Sequence, residues 1–170
     1  MTHRPHHPHL QAQARLATPM GTMTAAASAS GLAGLWFDGQ AHHPGPLAAP
    51  VDPDQRWLRA AEQALAAYFD GAANPLQGVA LDLHGTAFQQ AVWRALQALP
   101  RGRTSTYASI AAAAGSPAAV RAAGAAIGRN PVSILVPCHR VLGRDGSLTG
   151  YAGGLERKQA LLQREGVLLT

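Results

Sequence analysis

Cys138 is the only cysteine in the chain, and His139 follows it directly in the run Pro137-Cys138-His139-Arg140. The thiolate is the reactive form of cysteine, and an ordinary thiol is only about a few per cent ionised near neutrality. A base or cation beside it lowers the pKa by several units, each worth about 1.4 kcal/mol. The pair therefore has the makings of a soft sulfur nucleophile with an imidazole to take its proton. A lone cysteine is equally often a small buried hydrophobe, and the two residues alone leave both readings open. One cysteine rules out an intramolecular disulfide and a cysteine-based zinc cluster, and it suits a reducing compartment.

The elements that must position the thiol are legible around it. Residues 132–136, Val-Ser-Ile-Leu-Val, predict a buried strand that Pro137 ends, with the thiol at its tip. Upstream, Thr86 and Gln89 form a capping box for a helix whose apolar face is Phe88, Val92, Leu96 and Leu99, stopped by Pro100. A basic turn, Arg101-Gly102-Arg103, leads to a helix over 104–114 ended by Gly115. Ser116 then caps another over 117–128, with Pro117 at its first position. Helix, short glycine turn, helix reads as a helix-turn-helix.

The second helix of that motif is nearly all alanine, with Arg121 as its single long side chain. A helix reading base edges in the major groove carries several polar side chains. A slim helix with one arginine suits close backbone approach and one inserted side chain, or else plain packing. A last helix over 156–165 ends before Gly166, leaving Glu165 in a final turn where the helix dipole disfavours an acid.

The first half is read more coarsely. Residues 1–15, with His3, His6, His7 and His9 between Pro5 and Pro8, predict a disordered tail, a histidine-metal site being the alternative. Residues 16–50 are short apolar runs, of which Leu32–Phe37 is the best strand, and 40–51 is a loop. Asp52 caps the following helix with Pro53 at its first position and Gln55 closing a capping box. Trp57, Ala61, Leu65 and Tyr68 share its inner face, and Gly71 lies past its end. Val79, Leu81 and Leu83 alternate as a strand does.

Charge is split between the halves. Four arginines and six acids up to residue 85 leave −2; nine arginines, Lys158 and three acids beyond it leave +7. A basic half fits a polyanion partner, although thirteen of the fourteen cations being arginine also fits an arginine-rich background. No apolar run reaches bilayer-spanning length, and Ala25–Ser30 lacks the basic start and long apolar core of a signal peptide.

Three further segments join the cysteine motif in one pattern. The runs Gly31-Leu32-Ala33-Gly34-Leu35-Trp36-Phe37, Gly85-Thr86-Ala87-Phe88-Gln89-Gln90-Ala91-Val92-Trp93 and Val120-Arg121-Ala122-Ala123-Gly124 precede Asn130-Pro131-Val132-Ser133-Ile134-Leu135-Val136-Pro137-Cys138-His139-Arg140-Val141 and Gly150-Tyr151-Ala152-Gly153-Gly154-Leu155-Glu156-Arg157-Lys158. From about residue 16 to 166 the chain resembles the O6-alkylguanine-DNA alkyltransferases, the methylated-DNA–protein-cysteine methyltransferases.

The resemblance implies an α+β fold in two domains. Residues 16–83 would form a small ribonuclease-H-like α/β domain with an antiparallel sheet. Residues 85–170 would form a mostly helical, winged-helix-type domain carrying DNA binding and chemistry. It implies irreversible, single-turnover transfer of an alkyl group from O6 of guanine, and from O4 of thymine, to Cys138 after the nucleotide is flipped out. His139 would take the thiol proton through a water, Glu165 would orient His139, and Asn130 would brace the active-site turn. Tyr107 would donate to the ring as charge develops. Val141, with the backbone of Cys138, would read guanine's amino edge, and Tyr151 and the Ala152 amide would line the wall near O6. Arg121 would fill the gap left by the flipped base, with Ala119 and Arg129 beside it on double-stranded DNA, in the minor groove. The protein would be a cytoplasmic monomer needing no cofactor or metal, since damaged DNA is the alkyl donor. Some relatives carry proline at position 133 and serine at 152, where this chain has Ser133 and Ala152.

Three other functions compete. A non-catalytic lesion sensor of the alkyltransferase-like type lacks the active cysteine, which Cys138 argues against. A cysteine hydrolase needs a remote histidine and an oxyanion hole, for which His84 is the one remote ordered candidate. A helix-turn-helix regulator needs base-reading side chains that the alanine-rich helix lacks.

Overall fold

The computed structural model describes residues 9–169. Three strands, β1 (Leu10–Thr18), β2 (Gly21–Ser28) and β3 (Leu32–Phe37), form an antiparallel sheet in chain order. β1 alternates inward Ala12, Ala14 and Leu16 with outward polar residues, whereas β2 and β3 are buried over most of their length. Helix α1 (Arg56–Phe69) packs on this sheet through Leu58, Ala61, Leu65 and Tyr68. The remaining elements are α2 (Ala87–Gln97), β4 (Ser105–Thr106), α3 (Tyr107–Ala113), α4 (Val120–Gly128), β5 (Val141–Leu142) and α5 (Leu155–Arg164). The two short strands β4 and β5 pair in parallel. The molecule is thus a mixed helix-and-sheet fold with a small antiparallel sheet. Among the described residues no helix is long and apolar enough to cross a membrane.

Several expectations are corrected. β1 begins at Leu10, so the tail expected over residues 1–15 does not include 10–15, whose alternate side chains bury against α1 and β2. Residues 1–8, with His3, His6 and His7, lie outside the described residues. Gln55, not Asp52, caps α1: its side chain accepts from the Trp57 and Leu58 amides, while Asp52 holds the preceding turn through the Asp54 amide. The helix expected from 117 begins at Val120, since residues 117–118 form a turn and Ala119 is the cap. Thr86 and Gln89 do form the expected capping box.

Residues 132–136 are not a strand. Val132 makes one bridge to Leu35, and the chain then turns tightly through Ile134 at φ 70°. A short apolar run is compatible with any buried backbone, so its hydrophobicity signals burial and not geometry. Residues 79–83 likewise contribute one bridge, Leu81 to Leu32. Both bridges fall on β3. Leu32 donates to Ala80 O and Leu35 to Pro131 O at 2.9 and 2.8 Å, so the free edge of the sheet is covered by residues 80–82 and by the segment that leads to Cys138.

Candidate active site

Cys138 opens a single 3-10 turn, Cys138–Arg140, that follows the tight turn at Ile134. Asn130 ties this segment together. Its amide donates to Val136 O at 2.7 Å and its carbonyl accepts from the Val132 amide at 3.0 Å. Losing the second would leave the buried Val132 amide unpaired, whereas Val136 O also accepts from the Cys138 amide at 2.8 Å. The thiol is 5% exposed and faces a cavity of about 250 Å3. One side of that cavity is the helix-turn-helix, through Tyr107, Gly124, Ile127 and Gly128; the other is Gly150, Tyr151 and Ala152 with Ala41 and His42.

Behind Cys138 lies a buried charged cluster. His139 Nε2 and Glu165 Oε2 are 2.5 Å apart, and neither side chain has exposed surface. The Tyr68 hydroxyl donates to the same carboxylate oxygen at 2.7 Å, and Arg140 Nε donates to the other at 2.6 Å. Arg140 also reaches Leu99 O at 2.6 Å. Burial acts against the Glu165 charge, but the hydrogen bonds from His139, Arg140 and Tyr68 outweigh it and hold its pKa at about 2. A carboxylate only accepts, so Nε2 of His139 carries the proton and Nδ1 is the basic nitrogen. That Nδ1 is buried and has no protein partner among the described residues. Burial lowers the His139 pKa below its ordinary value despite the carboxylate, so the imidazole is neutral at pH 7.

Burial pushes the Cys138 thiol up, while the Asn130 side chain and the charge of Lys158 pull it back. Lys158 has no exposed surface; its ammonium donates to the carbonyls of Val141, Thr149 and Gly150 at 2.5, 2.8 and 3.1 Å. Burial brings its pKa down to about 8, and the charge of Cys138 counteracts that. The lysine thereby joins the backbone of Val141 to the 149–150 loop across the floor of the site.

The residues expected at the site divide into two groups. Cys138, Tyr107, Tyr151 and Ala152 line the cavity; His139 and Glu165 lie behind the thiol, Asn130 braces its turn, and Val141 is buried directly after the 3-10 turn. Tyr107, the first residue of α3, donates its hydroxyl to Thr149 O at 3.1 Å. Arg121, Ala119 and Arg129 sit on α4 and its ends, outside the cavity lining, with both arginines exposed. Three participants have no sequence-based expectation: Tyr68, Arg140 and Lys158. Arg140 is in the cysteine motif and Lys158 in the downstream run, but nothing local marks either as buried. Tyr68 reaches Glu165 across 97 residues. Among the described residues no cluster of histidine, cysteine or acids is arranged to hold a metal.

A buried thiol at the mouth of a helix-turn-helix cavity, backed by a neutral histidine on a carboxylate, defines a single-cysteine nucleophile on a nucleic-acid-binding scaffold. A family model described as 6-O-methylguanine DNA methyltransferase, DNA binding domain, matches residues 87–167. The methylated-DNA–protein-cysteine methyltransferase of Mycobacterium tuberculosis is 45% identical over 148 residues, covering 87% of this chain and 88% of the relative. That of Salmonella typhimurium is 53% identical over 105 residues, covering 62% and 61%. The crystal structure of Mycobacterium tuberculosis OGT in complex with DNA superposes with a TM-score of 0.82 at 42% identity, over 91% of this chain and 92% of that one. The O6-methylguanine-DNA methyltransferase of Pyrococcus kodakaraensis gives 0.64 at 26% identity, over 92% and 99%. The chain belongs to the methylated-DNA–protein-cysteine methyltransferase family.

Proposed function

We propose that the protein binds double-stranded DNA and repairs O6-alkylguanine by moving the alkyl group to its own Cys138, once per molecule. The observation that carries this reading is the placement of a lone buried thiol on a cavity shared with the helix-turn-helix, in a chain of this family.

An alkyl group on O6 points into the duplex, so the nucleotide must leave the stack, at a cost of about a few kcal/mol that damage reduces. Helix α4 suits this: its alanines allow close approach to the minor groove, and exposed Arg121 can occupy the space the base vacates, with Ala119 and Arg129 at the helix ends against the backbone. In the cavity, the thiol passes its proton towards Nδ1 of His139 through a water. The sulfur then attacks the alkyl carbon; the S–C bond forms as the C–O6 bond breaks, and guanine leaves with that electron pair. Tyr107, Tyr151 and the Ala152 amide stabilise the charge on the departing ring, Val141 reads its amino edge, and Asn130 keeps the thiol in place. O4-alkylthymine presents the same alkyl–oxygen bond and is a second substrate.

The donor is the lesion, so the reaction needs no cofactor. The product is a thioether, and the reaction ends there. The scaffold reads as a ribonuclease-H-like domain over residues up to 83 and a winged-helix-type domain from 85, acting as a cytoplasmic monomer. The test is stoichiometry. Excess duplex carrying O6-methylguanine is expected to lose one lesion per protein and no more, whereas continued turnover would overturn the reading.

A further inference from the structure

The loop after β3 belongs to the N-terminal sheet, yet it is fastened to the turn that carries Cys138 and to Ala152 in the cavity wall. Gln40 is 7% exposed; its carbonyl accepts from the Phe37 amide at 2.8 Å and from the Ser133 hydroxyl at 3.2 Å, in the turn that carries Cys138. The Ala41 amide donates to Ala152 O at 2.9 Å, within the wall that Gly150 and Tyr151 also form. A third support lies beneath. A side-chain carbon at Gly153 would come within 3.0 Å of the Phe37 ring, so the 151–154 loop sits directly on β3.

Between these anchors, His42 adopts φ 60°. Among described non-glycine residues only His42 and Ile134 are left-handed, and each lies in a segment that builds the surroundings of Cys138. The left-handed region is disfavoured for a histidine, and such conformations persist where neighbours over-determine them. The conformation separates two consecutive histidines. His43 turns away onto Trp36, with ring centroids 6.0 Å apart, and its Nδ1 accepts from Gly45. His42 lines the cavity mouth beside Tyr151 and Ala152.

We infer that His42 is a specificity-determining residue, by which the N-terminal sheet limits the size of the alkyl group that Cys138 accepts. The inference rests on the alkyl-transfer reading above. In a displacement at carbon, sulfur and O6 lie on opposite sides of the reacting carbon, so anything beyond the first carbon of the substituent projects sideways. A methyl group has nothing to project. A benzyl group must find room against the wall away from the helix-turn-helix, which is where His42, Tyr151 and Ala152 stand. Because the loop is held at Gln40 and Ala41, the imidazole does not swing aside with it.

The test compares single-turnover transfer from duplexes containing O6-methylguanine or O6-benzylguanine, for the wild type, His42→Gly and His42→Asn. Glycine and asparagine both tolerate the left-handed backbone, so the loop keeps its course. The expected result is a benzyl rate raised about tenfold or more by glycine and less by asparagine, the scale on which pockets discriminate added carbons. The methyl rate should stay within about twofold, as for a substitution that costs no binding. Equal changes for both substrates, or none for benzyl, would overturn the inference while leaving alkyl transfer intact. Absence of transfer of either group by the wild type is a different outcome: it would overturn alkyl transfer itself, and the inference with it.

Discussion

His139 and Glu165 are 26 residues apart in the chain and 2.5 Å apart in space, with neither side chain exposed. The contact fixes the tautomer of the imidazole and joins the turn of Cys138 to the end of α5. Glu165 is the C-cap of that helix, where the dipole opposes its charge; Arg140 and the Tyr68 hydroxyl offset this. Replacing Glu165 by glutamine removes an acceptor-only group from four donors: His139, Arg140, Tyr68 and the Gly102 amide. Transfer should slow on the order of a hundredfold, the scale of a displaced general base. Tyr68→Phe removes one hydrogen bond and should cost about 1 kcal/mol of stability with little loss of rate. Single-turnover kinetics and thermal melts of both variants check the pair.

The same carboxylate sets acid stability. Its folded pKa of about 2 lies below the ordinary 4.5, so the native state holds Glu165 ionised more readily than the unfolded chain does. The resulting stabilisation, roughly 3 kcal/mol, is complete above the unfolded value and is lost as pH falls from there through about 2. Denaturant midpoints followed from neutrality into this range should fall for the wild type and fall less for Glu165→Gln.

The rate has its own pH dependence. Burial lowers the His139 pKa below 6.5, so the neutral base persists at and below that pH. Transfer from O6-methylguanine should therefore hold level as pH falls through 6.5 and decline only further down. A midpoint above 6.5 would show that the carboxylate outweighs burial.

Some of this arrangement is legible in the chain and some is not. The cysteine motif, the Thr86–Gln89 capping box and the placement of Glu165 before Gly166 are local patterns, and each survives in the structure. Local pattern fails where the backbone is set by distant partners. The apolar run 132–136 gives up strand geometry because Asn130 and β3 hold it in a turn. Tyr68 reads as core from helical spacing, and nothing in α1 reveals that its hydroxyl meets a carboxylate near the other end of the chain. Nothing in the sequence marks Lys158 as buried, yet three backbone carbonyls surround its ammonium.

That lysine yields a further expectation. Lys158→Met keeps the length of the side chain but leaves the carbonyls of Val141 and Gly150 without their side-chain donor and Thr149 O with the Tyr107 hydroxyl alone. The loss should be about 2–5 kcal/mol of stability, as when one member of a buried polar network is removed. The nearby positive charge also favours the thiolate, so the Cys138 pKa should rise. The pH dependence of iodoacetamide labelling at Cys138 measures this separately from folding.

Arg121 is exposed on α4 and lies outside the cavity lining, so its role can be separated from the chemistry. Arg121→Ala should slow repair of duplex DNA about tenfold or more, because flipping the base costs a few kcal/mol that the side chain offsets. Reaction with free O6-benzylguanine base, which needs no flipping, should be unchanged. Equal losses with both substrates would place Arg121 in the chemistry instead.

In the proposed reaction Cys138 receives the alkyl group, and an intact-mass measurement reads this directly. The protein is mixed with a duplex carrying one O6-methylguanine, beside a Cys138→Ala control, and the modified peptide is mapped. The account predicts a gain of one methylene on the wild type, located at Cys138 and absent from the control. An unchanged mass with tight binding to the lesion duplex would contradict it and leave a protein that recognises damage without reversing it.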